Sequence, residues 1–443
     1  MPNSSGFSDI LKQHLSWHKA RIDCLASIIT ALFVRQTVNL SALKNAFSSK
    51  AKPESIYRRM QRFFAGALIG RTDVARFVFS VFGWQNVRLT LDRTTWEYGK
   101  SCINILVLAV VWRGVAIPVL WETLDKKGNS NTGKRMGLLE LFRETFPEVH
   151  IETLYADREF IGNEWLAYLR QAGISYCIRC KENAQIAGKG GTRRALKSHF
   201  RALKTGEGKR LGPVMLYGQQ HYLEATRLTD GQLLVVCSDK EGKGIEAYGE
   251  RWQIETLFGS LKSKGFNLED THMTAPAKID RLMSVLAIGF VLSCRAGEAE
   301  DKRRPIKVKK HGRPAQSLFR AGLDWLVSVL FRGMRLLEVL GGEVMGLLAV
   351  KEEVGWRIFL SCTKALIYKK ELAQYQLFFR SKIKISAWKI GLLDVLCVNL
   401  LFSFQPYEHH ESRIQLDVTV LAILHYMNAM LVQCHAEWHL LAH

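Results

Sequence analysis

A change of period at Val87 constrains this chain more than any other feature. Before it, apolar residues recur at helical spacing: Leu25, Ile28, Ile29, Leu32 and Phe33 fall together, and Ser41 stands as an N-cap before Leu43. From there Val87, Leu89 and Leu91 alternate with Arg88, Thr90 and Asp92, the two-residue period of a strand, so Asp92 is expected to point away from the Leu89 face. Two β-rich runs follow, Ile103 to Trp112 and Val115 to Trp121, divided by Arg113-Gly114, a hairpin signal. Helical spacing resumes over Lys134 to Thr145, with Leu138, Leu141, Phe142 and Phe146 on one side. A fourth run, Ile151 to Tyr155, leads directly into Asp157 and a helix carrying Trp165, Leu166 and Leu169.

Three antiparallel strands, a helix, a strand and a helix are the order of a ribonuclease-H-like core. The predicted fold class is therefore α/β, a ribonuclease-H-like mixed-sheet core with a β-rich insertion and an N-terminal helical domain. Its expected parts are a helical domain over 1–82 and the ribonuclease-H-like domain over 83–300, interrupted by the insertion at about 174–239. A basic linker and C-terminal helices fill 301–363, and 364–443 forms a tail. Strand-like segments of the insertion are Ser175 to Arg179, Val214 to Tyr217 and Leu233 to Cys237; helix returns at Tyr248 to Lys262 and Ile279 to Arg295. The segment Lys302 to Pro314 reads either as a flexible linker or as a DNA contact.

Charge selects the partner. The sequence holds 62 Lys and Arg against 41 Asp and Glu, a net charge of +21, which favours a polyanion, nucleic acid ahead of an anionic membrane. The longest apolar run, Ile390 to Phe404, is shorter than a bilayer requires and contains Asp394 and Asn399, so no membrane association is expected. Met1 to His18 mixes polar and apolar residues without a leader pattern, which makes the cytoplasm the expected compartment. Nine scattered cysteines, an odd number, argue for reduced thiols. Two basic surfaces stand out. In Glu54 to Phe64, Tyr57, Arg58, Arg59 and Arg62 flank an apolar side of Ile56, Met60 and Phe63, as on a helix that docks on DNA; a plain solvated face is the alternative. Residues 181–227, which include Arg193 and Arg194, hold ten Lys and Arg against three Glu and suit a phosphate-facing surface.

The sharpest local pattern is Tyr248-Gly-Glu-Arg251-Trp-Gln-Ile-Glu255-Thr-Leu-Phe-Gly-Ser-Leu-Lys262. On a helix at ~100° per residue, Tyr248, Arg251, Glu255 and Lys262 fall within roughly a 60° sector beside an apolar face of Ile254, Leu257, Phe258 and Leu261. An amphipathic surface helix with chance charges would not favour Gly249 and Gly259, each costing about 1 kcal/mol against Ala; they hint at close approach by a ligand or another backbone.

Tyr, Arg, Glu and Lys in this spacing resemble the signature of the YREK-class DDE transposases, insertion-sequence family four. Leu89-Thr-Leu-Asp92-Arg-Thr-Thr-Trp96 resembles that family's first-aspartate motif, and Tyr155-Ala-Asp157-Arg-Glu-Phe160 its second. The resemblance runs from about Asn39 to about Cys362, includes the β-rich insertion, and extends to Lys309-Lys-His-Gly-Arg-Pro314 and Phe319. It implies cut-and-paste DNA transposition by a bacterial, nucleoid-associated enzyme: binding of terminal inverted repeats in double-stranded DNA, strand cleavage and transfer into target DNA, and a homodimer on DNA. Tyr248, Arg251 and Lys262 would hold DNA phosphates near the scissile bond. The family's well-studied members stack a flipped base on a Trp of the insertion, but no Trp lies between Trp165 and Trp252 here, so the resemblance carries no hairpin step.

The chemistry accounts for three carboxylates. In-line phosphodiester cleavage calls for two hard cations about 3.5 to 4 Å apart, and carboxylate oxygens are the ligands Mg²⁺ or Mn²⁺ prefers. Asp92, Asp157 and Glu255 are the expected catalytic residues and metal ligands for two ions, Asp92 bridging the pair and the others completing one site each. A nuclease of the same fold without strand transfer, or an inactive DNA-binding regulator, are the rival readings. Other motifs carry less. Gly128 to Lys134 nearly spells a nucleotide loop but has Arg135 where a Mg²⁺-holding hydroxyl belongs. Cys177 and Cys180 have zinc-ligand spacing in a strand that would point them to opposite faces.

Overall fold

The computed structural model describes residues 5–331 except 48, 50, 67, 68, 125, 188–191, 243 and 311. The expected tail from Lys364, the run Ile390 to Phe404 and the helices expected beyond 331 lie outside the described residues.

The N-terminal apolar periodicity becomes helices α1 (Ser5–His14), α2 (Lys19–Arg35), α3 (Leu40–Leu43), α4 (Pro53–Gly66) and α5 (Arg71–Phe82). Asn39, rather than the expected Ser41, caps α3: its side chain accepts from the Ser41 amide at 3.0 Å. A shorter reach from an Asx side chain two residues ahead satisfies the orphan donor first. In α4, Ile56, Met60, Phe63 and Phe64 are buried, while Arg58 and Arg62 are exposed.

The strands are β1 (Asn86–Tyr98), β2 (Ser101–Trp112) and β3 (Val115–Thr123), then α6 (Thr132–Thr145), β4 (His150–Ala156), α7 (Asn163–Gln171) and β5 (Tyr176–Arg179). Next come β6 (Gln185–Ala187), β7 (Arg193–Ala195), α8 (Leu196–His199), β8 (Gly208–Leu216), β9 (Gln219–Arg227) and β10 (Leu233–Ser238). Among the described residues one eight-stranded sheet runs β3-β2-β1-β4-β5-β10-β9-β8, and β6 and β7 form a separate pair. β1 pairs antiparallel with β2 and parallel with β4, and β4 is parallel to β5. This mixed sheet is a ribonuclease-H-like core. Tyr176–Arg179 is its fifth strand, and β8 to β10 extend the same sheet edge rather than forming a detached module.

Both faces are covered. Thr90 is as buried as Leu89, so β1 is central, and its two-residue alternation marks polarity rather than exposure. Helices α9 (Ile245–Tyr248), α10 (Gln253–Leu261), α11 (Pro276–Arg303) and α12 (Leu318–Phe331) complete the chain described. α11 is long and apolar enough to cross a membrane, but here it is mostly buried, against β3, α2, α5 and α12. Its apolar residues and those of α1 to α5 join the sheet in one continuous core.

The α11–α12 crossing brings backbone onto backbone. A Cβ on Gly322 would lie 1.8 Å from the Ser293 carbonyl oxygen, and one on Gly297 would lie 1.8 Å from that of Leu318. Neither clash can yield by side-chain rotation. Gly322→Ala is therefore expected to cost about 3 kcal/mol, the upper range for overpacking, read as a lowered urea midpoint. An unchanged midpoint would show that the helices can separate freely.

Candidate active site

The β1–β4 register delivers two acids to one place. Parallel pairing ends at Leu91↔Ala156. The next residue on each strand is an aspartate: Asp92 continues along β1 against Val107 of β2, while Asp157 leaves β4 into a 3-10 turn over Arg158–Phe160.

The third acid arrives on a broken helix. α9 ends at Tyr248, a 3-10 turn occupies Gly249–Trp252, and α10 begins at Gln253. Ile254, Leu257 and Leu261 are buried, and α10 packs on β1, β2 and β3. The Tyr248 hydroxyl donates to Asp157 Oδ1 at 3.2 Å. Arg251, nearly buried, donates from Nη1 to Asp92 Oδ2 at 3.2 Å and from Nη2 to Glu255 Oε1. One guanidinium thus joins the first and third acids, and Arg179 Nη1 stands 3.8 Å from Asp157.

Lys262 stands apart. The chain turns at Lys262, so the straight stripe expected over Tyr248 to Lys262 ends there, and Nζ donates to the Thr95 carbonyl at 3.0 Å and pairs with Glu269 at 2.7 Å. Gly249 and Gly259 show no close backbone approach: a Cβ would meet only the Trp252 ring at 3.9 Å and the Lys264 stem at 3.5 Å. Arg193 and Arg194 are exposed on β7, and Arg58 and Arg62 on α4; none of the four is bonded to the carboxylates.

Burial pushes the Asp92 carboxyl up to about 6, against the pull of the Arg93 amide and Arg251, while Glu159 and Asp157 add to the rise. Burial also raises the Tyr248 hydroxyl, so it stays a proton donor to Asp157. For Arg251, burial acts to lower the pKa, but Tyr248, Glu255 and Asp92 together outweigh it and raise it.

Sequence reasoning passed over a second layer. Arg93 Nε reaches both oxygens of Glu159, at 2.8 and 3.0 Å, and its Nη2 donates to Asn129 at 3.2 Å. This clamp ties the residue after Asp92 to the second residue after Asp157; the charged neighbours in each motif were its only sequence signal. The near-nucleotide loop is a helix start: Asn131 accepts from the Lys134 amide at 2.8 Å, and Arg135 donates to Ser130 Oγ at 2.8 Å. Cys177 and Cys180 enter different apolar clusters on opposite faces of the sheet.

Among the described residues no three of His, Cys, Asp and Glu are grouped tightly enough to hold a metal ion. Arg251 occupies the charge-compensating position between Asp92 and Glu255. The donor set still suits a hard cation, being all oxygen, and the Asp92 carboxyl, raised chiefly by burial and further by Glu159 and Asp157, is one whose charged form an added cation would favour. Arg251 Nε is buried without a hydrogen-bond partner, so only its two outer nitrogens hold it to the acids.

Residues 89–292, slightly under half of the chain, match the family described as transposase DDE domain, and this span contains all three acids. The match supports a DDE transposase family. No curated protein matches the chain. Among solved structures, the chain is similar to the piggyBac transposase in a synaptic complex with hairpin DNA, at 13% identity over 80% of each chain with a TM-score of 0.37. It is also similar to the catalytic domain of human Endonuclease V, at 14% identity over 53% of this chain and 95% of that one, with a TM-score of 0.21.

Proposed function

We propose that the chain is a DDE transposase of the YREK class, which binds the terminal inverted repeats of its element as a homodimer, cleaves the strand ends and joins them to target DNA. The observation that carries this reading is one arrangement: within a transposase DDE domain, Asp92 and Asp157 end neighbouring parallel strands and Arg251 draws Glu255 to Asp92. Two Mg²⁺ or Mn²⁺ ions held by Asp92, Asp157 and Glu255 would activate the attacking oxygen and steady the leaving one.

The chain's own groups prepare this site. Tyr248 fixes the Asp157 carboxylate by its hydroxyl, and the Arg93–Glu159 clamp holds the two aspartate-bearing segments together. Arg251 keeps Asp92 and Glu255 within one guanidinium's reach, and its charge is then available to a DNA phosphate. Lys262, anchored on Thr95, would meet DNA farther along β1. Cytoplasmic location with the bacterial nucleoid follows from this reading.

The test is a strand-transfer assay with DNA from the regions flanking the gene, in Mg²⁺ or Mn²⁺. Joined products support a transposase, nicks without joining a nuclease, and binding alone a regulator. Exposed arginines give a second expectation. Arg58→Ala/Arg62→Ala, and separately Arg193→Ala/Arg194→Ala, should each flatten the salt dependence of duplex binding, by about 0.9 in log–log slope for every phosphate no longer neutralised. Unchanged slope and affinity for either pair would remove that surface from the interface.

A further inference from the structure

Helix α4 and the loop between α10 and α11 enclose a cleft of about 850 Å³. Its residues include Arg58, Arg62 and Lys278, with Phe64 and Met273 among the apolar ones, and no Asp or Glu lines it. None of the three cations forms an ion pair with a described carboxylate. The walls are tied: Thr37 Oγ1 donates to Asp270 at 2.6 Å, and Arg281 donates to the Phe64 carbonyl at 2.7 Å. The cleft is thus part of the fold rather than a gap between loose segments.

β1 carries the candidate active site at Asp92 and reaches the edge of the cleft at Tyr98. Beyond Asp92 the strand carries Thr95, where Lys262 is anchored, then Trp96, whose ring lies 5.8 Å from the Lys262 ammonium. At its end Tyr98, one of few exposed large aromatics among the described residues, stacks on His272 with ring centroids 5.3 Å apart, and His272 itself lines the cleft. Asp92 to Tyr98 spans about 20 Å at the usual rise per residue, a run of several nucleotides.

A duplex keeps its base faces stacked inside and offers a protein mainly phosphates and groove edges. An unpaired strand presents phosphates and bare base faces together, and it is met by cations combined with exposed rings and apolar side chains. Resting on the transposase reading, we infer that the cleft holds a single-stranded segment of the DNA end as it leaves the carboxylates. Tyr98 and His272 offer the stacking surface on the way in, Lys278 takes a phosphate of the strand just beyond the duplex that Arg58 and Arg62 contact, and Met273 packs under a base.

The test uses the full chain in EDTA, so that no cleavage occurs. Fluorescence anisotropy compares a blunt duplex with the same duplex carrying a short single-stranded tail. The tailed DNA is expected to bind about tenfold tighter, as one or two stacked bases would give. Met273→Ala, and separately Lys278→Ala at an exposed position, should reduce that preference while leaving the blunt affinity within about twofold. Equal binding of both DNAs, or a preference unchanged in both variants, overturns the inference. Displacement of the tail by a deoxynucleoside monophosphate alone, with the duplex still bound, would reassign the cleft to free nucleotides and overturn it too. A chain that joins strands in Mg²⁺ but lacks the tail preference refutes this strand path and leaves the transposase reading standing; tail preference without joining does the reverse.

Discussion

Asp92→Asn, Asp157→Asn and Glu255→Gln are each expected to lower metal-dependent DNA cleavage by roughly a thousandfold or more, about 4 kcal/mol of barrier, while DNA binding persists. The amide keeps shape and removes the charge a hard cation needs. Folding should survive as well, and at Asp92 the direction is informative. Its folded pKa of about 6 stands above the ordinary value of 3.8, so the native state holds more protons between those two values and loses stability as pH rises through that window. Above it, the buried carboxylate is a standing cost. Asp92→Asn should therefore melt at or above the parent at neutral pH, by about 1–2 kcal/mol after allowing for a weaker bond to Arg251. That gain should vanish below about pH 4. Cleavage near the parent rate in any of the three variants would remove that residue from the chemistry, and a collapsed melting temperature for Asp92→Asn would contradict the burial argument.

Removing Arg251 should do the opposite to stability. Its guanidinium is nearly buried, bonds Asp92 and Glu255, and lies over the Tyr248 ring at 5.5 Å. Arg251→Ala strands Asp92 in a poorly solvated position, and about 3 kcal/mol of stability should disappear, the low end for breaking a buried pair. Arg251→Lys should recover little, because one ammonium cannot span two carboxylates as a fork does. In the Asp92→Asn background the cost of Arg251→Ala should shrink, since the stranded charge is gone; urea unfolding of the four proteins of that cycle measures the coupling. Additive losses would mean that Arg251 acts through packing alone.

The sequence by itself determined the element order of the core and singled out the three acids as candidates. Alternation at Val87 to Asp92, the hairpin at Arg113-Gly114 and the helix over Lys134 to Thr145 are local signals, because strand and helix periods are written in neighbouring residues. From them the ribonuclease-H-like core followed, and with it the adjacency of the first and fourth strands. The Tyr248 pattern singled out Arg251 and Glu255 without showing what Arg251 touches. Only the tertiary structure decided that, since a pair between residues 159 positions apart in sequence, Asp92 and Arg251, depends on how α10 settles on the sheet. The same holds for Lys262, which the turn after Leu261 sends to Thr95 instead of the carboxylates. It holds too for the strands after Asp157, where short β-rich runs state that a strand forms but not which edge accepts it; β5 joined the core and β8 to β10 prolonged it because open backbone donors and acceptors at a sheet edge are satisfied by whichever strand packs there. Sequence singled out Arg58 and Arg62 on one wall of the cleft between α4 and the Thr271–Thr274 stretch but not the cleft itself, its walls being more than two hundred residues apart and brought together by burial of α11 in the shared core.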